Sequence, residues 1–203
     1  MASFHDLAAV CQSLSQTTSR RQIAQMVGEF IARLDVAQAE IAARFMAGRA
    51  LAQGEDARIN LSGRAIWKIA AELAGGEEAG EEIFAATADF GEAIEMLLRN
   101  RSAEPEPTLT VAQVADRFAE LAAIEGRHAR QRKLAALRDL LARATALEAK
   151  YIAKILIREM RHGMSEGLMI EAIAVMADRP AAEVRRIHML EGDLGRVVRA
   201  IRS

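Results

Sequence analysis

The sequence is poor in several residue types, and each shortage excludes a class of protein. A single cysteine, Cys11, excludes an internal disulfide and suits a reducing compartment. No apolar run approaches the roughly 18 residues that a membrane span needs, so we expect no membrane contact. The N-terminus lacks a basic stretch followed by an apolar one, so we expect no signal peptide and a cytoplasmic location.

Three prolines and eight aromatic residues among 203 leave a helix-forming composition. Ala, Leu, Glu and Arg are abundant, and all four are strong helix formers. Apolar residues recur at three- and four-residue steps, while no segment alternates with a period of two. We therefore predict an all-α fold of about ten to twelve helices. The stretch from Asn100 to Pro107, with two of the prolines and almost no apolar residue, is predicted to be a linker.

Charge is distributed unevenly along a chain whose formal net charge is only −1. Residues 126–203 hold sixteen Lys and Arg against nine Asp and Glu, whereas residues 1–125 hold eleven against nineteen. Such asymmetry indicates a basic face directed at a polyanion, with acidic surface elsewhere. The near-zero total leaves a second interpretation open, in which the basic helices are only a solvated surface.

The segment Thr145–Ala177 is predicted to be a helix, a tight turn and a second helix. Thr145 and Glu148 have the spacing of a capping box, which marks the start of the first helix. Its last turn is expected to hold Arg158 and Arg161, where cations suit the negative end of the helix dipole.

The turn that follows has the composition of an anion site. Gly163 suits the position after a helix, and Ser165 is placed to cap the next one. Free backbone N–H groups at Ser165, Glu166 and Gly167, with Arg161 beside them, would attract an anion. The alternative is an ordinary turn between two helices, in which Gly167 only weakens the second helix.

A second cationic position lies near the N-terminus. Ser19 and Gln22 are spaced as a capping box, so a helix is predicted to start at Arg20. Arg20 and Arg21 then lie at the positive end of the helix dipole, where cations are unfavourable unless an external anion is bound.

The two halves of the chain resemble each other. Residues 23–46 align with residues 134–157 without a gap, and Asp89-Phe90-Gly91 corresponds to Asp193-Leu194-Gly195. We therefore predict two helical subdomains, approximately residues 1–100 and 108–203, related by a pseudo-twofold axis and sharing one core.

The stretch from Leu147 to Ala174 resembles a segment of the N-terminal helical DNA-binding domain of ATP-dependent DNA ligases. Met160 and His162 depart from the pattern, because aliphatic residues are usual at both places. A further similarity is Gly126 followed by Arg132 and Lys133, as in the family's G-x-x-S-x-x-K-K. The residues of the first stretch that fall on the family pattern are Glu148, Lys154, Arg161, Gly163, Ser165 and Glu166.

The resemblance implies a domain that grips nicked duplex DNA through its backbone and minor groove, without sequence specificity, for nick sealing in replication or repair. The predicted pseudo-twofold arrangement would present two helix-turn tips to a duplex, one at Gly163–Gly167 and one in the region Gly48–Lys68 that carries Arg49, Arg58, Arg64 and Lys68. The DNA-contacting residues are expected to be Arg20, Arg21, Arg64, Lys68, Gly126, Arg127, Arg132, Lys133, Arg161, Gly163, Ser165, Glu166 and Gly167.

The catalytic signature of a ligase is missing. None of the four lysines is followed by x-D-G, the motif whose lysine takes AMP from ATP in ligases. We therefore expect an inactive piece of a longer, monomeric enzyme of a bacterial or archaeal nucleoid. Its catalytic nucleotidyltransferase domain would follow in the same polypeptide, and ATP and Mg²⁺ would be needed only there.

Other functions have weaker support. The four histidines lack metal-ligand spacing, and the chain has a single cysteine, so we expect no metal site. Trp67 is expected in the core rather than as a stacking platform. The main alternative to DNA binding is a helical-repeat scaffold for protein interactions, and a self-contained enzyme is disfavoured by the lack of motifs.

Overall fold

The computed structural model describes residues 2–52, 59–76, 82–83 and 86–203, which form eleven helices and no strand. The all-α prediction is confirmed. Part of the region Gly48–Lys68, including Arg58, lies outside the described residues. The helices are α1 Phe4–Leu14, α2 Arg20–Ala32, α3 Val36–Met46, α4 Gly63–Leu73, α5 Phe90–Leu98, α6 Val111–Ala123, α7 Ala129–Arg143, α8 Ala146–Ile157, α9 Glu166–Ala177, α10 Ala181–Glu191 and α11 Leu194–Arg202.

Local capping chemistry fixes where most helices begin. The capping box of Thr145 and Glu148 at the start of α8 is present in both directions, as predicted. The box predicted at α2 is only half formed: the Ser19 hydroxyl accepts from the Gln22 N–H, but the Gln22 amide oxygen accepts from the Thr17 hydroxyl instead. An N-cap acceptor alone is sufficient to start α2, because it satisfies one of the orphan N–H groups of the first turn.

Helix α8 is the centre of the fold. Nine of its twelve residues are buried, and a helix that is covered on nearly all sides has to lie inside the core. Two of the nine are lysines, Lys150 and Lys154, whose ammonium groups pair with Glu95 at 2.8 Å and Asp89 at 2.5 Å. Buried charges of this kind persist only when they are paired and hydrogen-bonded.

Helices from opposite ends of the chain pack together. Helix α5 packs on α8, and α11 packs on α3; α2 likewise packs on α9, and α4 on α7. Each of these pairs joins one helix before residues 100–107 to one helix after them. The linker itself is held in place, because the Arg101 guanidinium donates to the carbonyls of Leu141 and Ala144, both at 3.1 Å. The pseudo-twofold axis stays a prediction.

The turns Asp89-Phe90-Gly91 and Asp193-Leu194-Gly195, which start α5 and α11, contact α8 and α3 respectively. Asp89 binds Lys154 in α8, and Asp193 lies 3.5 Å from the guanidinium of Arg44 in α3. Both glycines are needed for the close approach. A Cβ on Gly91 would lie 2.5 Å from the Lys154 side chain, and one on Gly195 would lie 2.6 Å from the side chain of Glu40 and 2.8 Å from its carbonyl oxygen.

Helices α2 and α9 cross closely enough to fix the site described next. A Cβ on Gly28 would lie 2.7 Å from the Ala172 carbonyl oxygen, so no larger residue fits at the crossing. Toward the start of α2, the Ile23 side chain reaches Gly163 in the turn before α9. The N-terminal ends of α2 and α9 therefore lie side by side.

Candidate nucleic-acid interface

The turn between α8 and α9 begins earlier than the sequence predicts. Helix α8 ends at Ile157, and Arg158 is its C-cap in the left-handed conformation, with φ of 62°. The prediction that Arg158 and Arg161 lie in the last helical turn is wrong. The reason is tertiary: Met160 and His162 point into the core, with exposed fractions of 7% and 2%, which a continued helix would not allow.

The core side of this turn is anchored by Lys154, whose ammonium donates to the Met160 carbonyl at 3.1 Å. Alternation then directs Arg161 and Gly163 outward. Arg161 has a φ of 48°, and one of its N–H groups donates to the Ala88 carbonyl at 3.0 Å. A second N–H group lies 3.3 Å from a carboxylate oxygen of Glu159, and the side chain remains 53% exposed, so a phosphate can still reach the guanidinium.

Helix α9 begins with the residues of the predicted anion site. The Ser165 hydroxyl accepts from the Leu168 N–H at 3.2 Å, which satisfies one N–H of the first turn. Gly167 is exposed, and a Cβ there would meet no atom within 4 Å. Glu166 accepts from Arg49 at 2.8 Å, so its negative charge is balanced by a cation. The prediction that Arg49 belongs to a separate tip in the region Gly48–Lys68 is therefore wrong, because Arg49 pairs with the start of α9.

We call the adjoining starts of α2 and α9, with the turn before α9, the α2–α9 tip. It includes Arg20, whose guanidinium lies 3.6 Å from Glu171 and whose side chain is 71% exposed. Arg21 is also exposed and makes no hydrogen bond or ion pair with the described residues. The structure thus brings together Arg20, Arg21, Arg161, Gly163, Ser165, Glu166 and Gly167.

A second tip is formed where α4 and α7 begin. The two helices run in the same direction, because Lys133 near the start of α7 donates to the Ile59 carbonyl ahead of α4, while Arg138 pairs with Glu72 in the last turn of α4. We call these two starts, with the turn before α7, the α4–α7 tip. Its exposed residues from the predicted set are Arg64, Lys68, Gly126, Arg127 and Arg132.

Lys133 is the predicted contact that the structure places deepest. Only 8% of the residue is exposed, and its ammonium lies 3.0 Å from the Ile59 carbonyl oxygen. It therefore holds the segment before α4 against α7. The role of Lys133 toward DNA stays a prediction.

The start of α7 has no side-chain cap. Its N-cap, His128, has a φ of 61° and makes no capping hydrogen bond, while Gly126 has a φ of 78°. Arg130, in the first turn, is exposed and pairs with none of the described residues. Sequence reasoning missed Arg130, although its place among Arg127 and Arg132 was a signal.

Residues 88–90 connect the two tips. The Ala88 carbonyl accepts from Arg161 of the α2–α9 tip. The Phe90 ring packs on Gly63 at the start of α4, where an added Cβ would lie 3.6 Å from the ring. The two tips therefore belong to one side of the molecule. Each tip places two positive helix ends beside exposed arginines, an arrangement that attracts anions such as backbone phosphates.

His162 is a buried basic group beneath the α2–α9 tip. Burial, together with the nearby Lys154 ammonium, lowers its pKa to about 4. Its Nε2 has no hydrogen-bond partner, while Nδ1 accepts from the Met164 N–H at 3.4 Å. The fold therefore requires neutral His162.

We expect His162 to make the domain acid-sensitive. The pKa of His162 is lower in the folded than in the unfolded chain. The contribution of neutral His162 to folding stability is therefore fully present above about pH 6.5 and is lost as the pH falls toward 4. Between pH 7.5 and pH 5 the loss is about 2 kcal/mol. Urea unfolding at both pH values should show this loss in the unaltered chain, with a smaller one in His162→Leu. An equal loss in both chains would exclude His162 as its source.

The described residues also limit other kinds of site. None of their helices combines the length and hydropathy that crossing a bilayer requires. No three His, Cys, Asp or Glu side chains among them are grouped so that they could hold a metal ion.

Known proteins resemble this chain along most of its length. The family described as "DNA ligase N terminus" matches residues 3–174. A "Probable DNA ligase" of Koribacter versatilis is 35% identical over 190 residues, which are 93% of this chain and 32% of the relative. A "DNA ligase" of Methanocella arvoryzae is 30% identical over 206 residues, 98% of this chain and 36% of the relative.

A "Probable DNA ligase" of Mycolicibacterium gilvum is 46% identical over 99 residues, which are 49% of this chain and 19% of the relative. The chain spans about a third of the length of the Koribacter and Methanocella relatives. The family match and the Koribacter alignment agree with the resemblance to DNA ligases that the sequence shows between Leu147 and Ala174. The chain belongs to the family of N-terminal domains of ATP-dependent DNA ligases.

Proposed function

We propose that this domain grips duplex DNA around a nick, through phosphates and the minor groove, without reading sequence. Catalytic domains in the same polypeptide would then seal the nick with ATP and Mg²⁺ in replication or repair. The bound protein would be a monomer. Within this chain no lysine stands in a K-x-D-G motif, so adenylation is assigned to the remainder of the enzyme.

The observation that carries the proposal is the pair of tips on one side of the molecule. Each tip places two helix N-termini side by side, and residues 88–90 connect them. Contacts from backbone N–H groups and arginines to phosphates position a protein on DNA but carry no sequence information. A nick can occur at any sequence, so this kind of contact suits a ligase.

Binding is expected to be electrostatic. With roughly four to six phosphates neutralised, the logarithm of the association constant should fall with the logarithm of salt concentration with a slope of about −4 to −5. Fluorescence anisotropy with a nicked and an intact 30-base-pair duplex, in several unrelated sequences, measures both properties. No binding at about 50 mM salt would favour the alternative of a protein-interaction scaffold.

Arg161 provides the direct test of the α2–α9 tip. Arg161→Ala should weaken affinity by about 1–3 kcal/mol, because a charge-assisted contact is lost, and should leave the fold intact. Arg33→Ala is the matched control, since Arg33 is exposed at the opposite end of α2. Equal affinities of the two variants would remove Arg161 from the interface.

Gly167→Ala completes this test, because stability and binding should change in opposite directions. The added methyl has room, so the helix should gain up to about 1 kcal/mol of stability. If a phosphate lies on the first turn of α9, the same methyl obstructs it and affinity falls. Thermal melting and anisotropy on one preparation measure both, and a stabilised variant with unchanged affinity would place the phosphate elsewhere.

A further inference from the structure

The outward face of α10 carries the most exposed large apolar side chains of the described residues. Met189 is 79% exposed and Leu190 is 87% exposed. By contrast, Val184 on the same helix is fully buried, so α10 is anchored by one side only. Two adjoining apolar side chains in water, on a helix with a defined buried side, require a physical explanation.

The same face is basic. Arg185 and Arg186 lie four residues before Met189 and Leu190, which places each arginine one helical turn from an apolar side chain. Both arginines are exposed, and neither forms an ion pair with a described residue. The outward face of α10 therefore combines two available cations with two available apolar groups.

The inner side of α10 adjoins the α2–α9 tip, and the outward face lies on the other side of the same helix. His188, four residues after the buried Val184, has its Nε2 3.8 Å from a carboxylate oxygen of Glu166 in the first turn of α9. Glu166 in turn binds Arg49. A chain of contacts thus leads from the tip to α10, and a duplex lying on the tip would extend toward Met189.

We propose that the outward face of α10 is part of the DNA-binding surface. Arg185 and Arg186 contact backbone phosphates, and Met189 and Leu190 pack on deoxyribose in the groove beside the α2–α9 tip. Leu and Met are among the apolar residues that minor-groove proteins place against DNA. The proposal rests on the proposed function, because it extends the same interface.

A duplex suits this face better than a protein partner does. A specific protein interface buries about 800 Å² on each partner around an apolar centre depleted of charge. Here only two large apolar side chains are available, with two arginines one turn away. A polyanion with apolar sugar edges matches both components at once.

Two double variants test the proposal on the 203-residue chain with a fluorescein-labelled nicked duplex. Met189→Ser with Leu190→Ser should weaken binding about tenfold and leave the salt slope unchanged, because only apolar contact is lost. Arg185→Gln with Arg186→Gln should weaken binding and make the slope shallower by about two, one for each phosphate contact. Met96→Ser, at an exposed methionine of α5, is the control and should bind as the unaltered chain does.

The outcomes separate this inference from the proposed function. If the unaltered chain fails to bind DNA, the proposed function fails and this inference fails with it. If the unaltered chain binds and both double variants bind equally well with unchanged slopes, only the assignment of α10 is overturned, and a protein partner becomes the occupant of this face. Unchanged melting temperatures are expected throughout, since the substituted side chains are exposed; a melting temperature lowered in step with affinity would overturn the assignment as well.

Discussion

Neither residues 1–100 nor residues 108–203, produced separately, will show a cooperative thermal transition. The reason is the exchange of helices across the linker: α5 belongs to the first stretch but packs on α8, and α11 belongs to the second but packs on α3. Each isolated stretch would expose the apolar faces that these pairs cover, and a chain of about 100 residues cannot compensate for that exposure.

Circular dichroism melts of the two pieces, alone and mixed, measure this directly. The mixture should regain helicity and a sharp transition, because the missing helices are then supplied by the partner piece. The control is the same cleavage within residues 100–107 made on the folded chain, which should leave both pieces associated. A sharp melt of either piece alone would show that the two stretches have independent cores.

Lys154→Met is expected to lower the free energy of unfolding by about 3–5 kcal/mol, the usual effect of removing one partner of a buried ion pair. The Lys154 ammonium has two partners, the Asp89 carboxylate and the Met160 carbonyl. Burial by itself raises the pKa of Asp89, but the hydrogen bonds from Lys154 and from the Glu92 N–H, together with the charges of Lys154 and Lys150, outweigh it and the pKa is lowered. The substitution removes the hydrogen bond and the charge of Lys154 from this balance.

Urea unfolding of a small series checks the assignment. Asp89→Asn combined with Lys154→Met should lose less stability than Lys154→Met alone, because no partly buried carboxylate is then left without its cation, and Asn caps a helix about as well as Asp. Lys68→Met, at an exposed lysine without a partner among the described residues, should stay within about 0.5 kcal/mol of the unaltered chain. Equal losses for Lys68→Met and Lys154→Met would refute the buried pair.

The helix starts are what sequence reasoning predicted best, because an N-cap is a contact between residues three apart. The sequence predicts that Ser19, Thr145 and Ser165 cap helices, and each hydroxyl accepts from the N–H three residues on. The end of α8 was not predicted, because it depends on the distant partners of the turn. Met160 packs against Gly48, and Arg161 bonds the Ala88 carbonyl.

Some features of the candidate site could likewise be predicted from local sequence and others could not. Charge, glycines and a resemblance pointed to the exposed residues Arg64, Arg127 and Arg161, since an exposed cation needs no neighbour to be recognised. Sequence reasoning could not show that Lys133 is buried against the Ile59 carbonyl, or that Arg49 pairs with Glu166. Both contacts join segments more than 70 residues apart, and no local pattern encodes such a pairing.

The sequence by itself determined the all-α class, most helix starts and the family, because these depend on composition, short-range hydrogen bonds and an ordered motif. Only the tertiary structure decided which helices pair across the linker and which cations remain exposed. Lys154 and Arg161 lie in one short stretch of similar polarity, yet one is buried on Asp89 and the other reaches solvent. The difference arises because a buried charge requires a partner, and distant parts of the chain supply that partner only after folding.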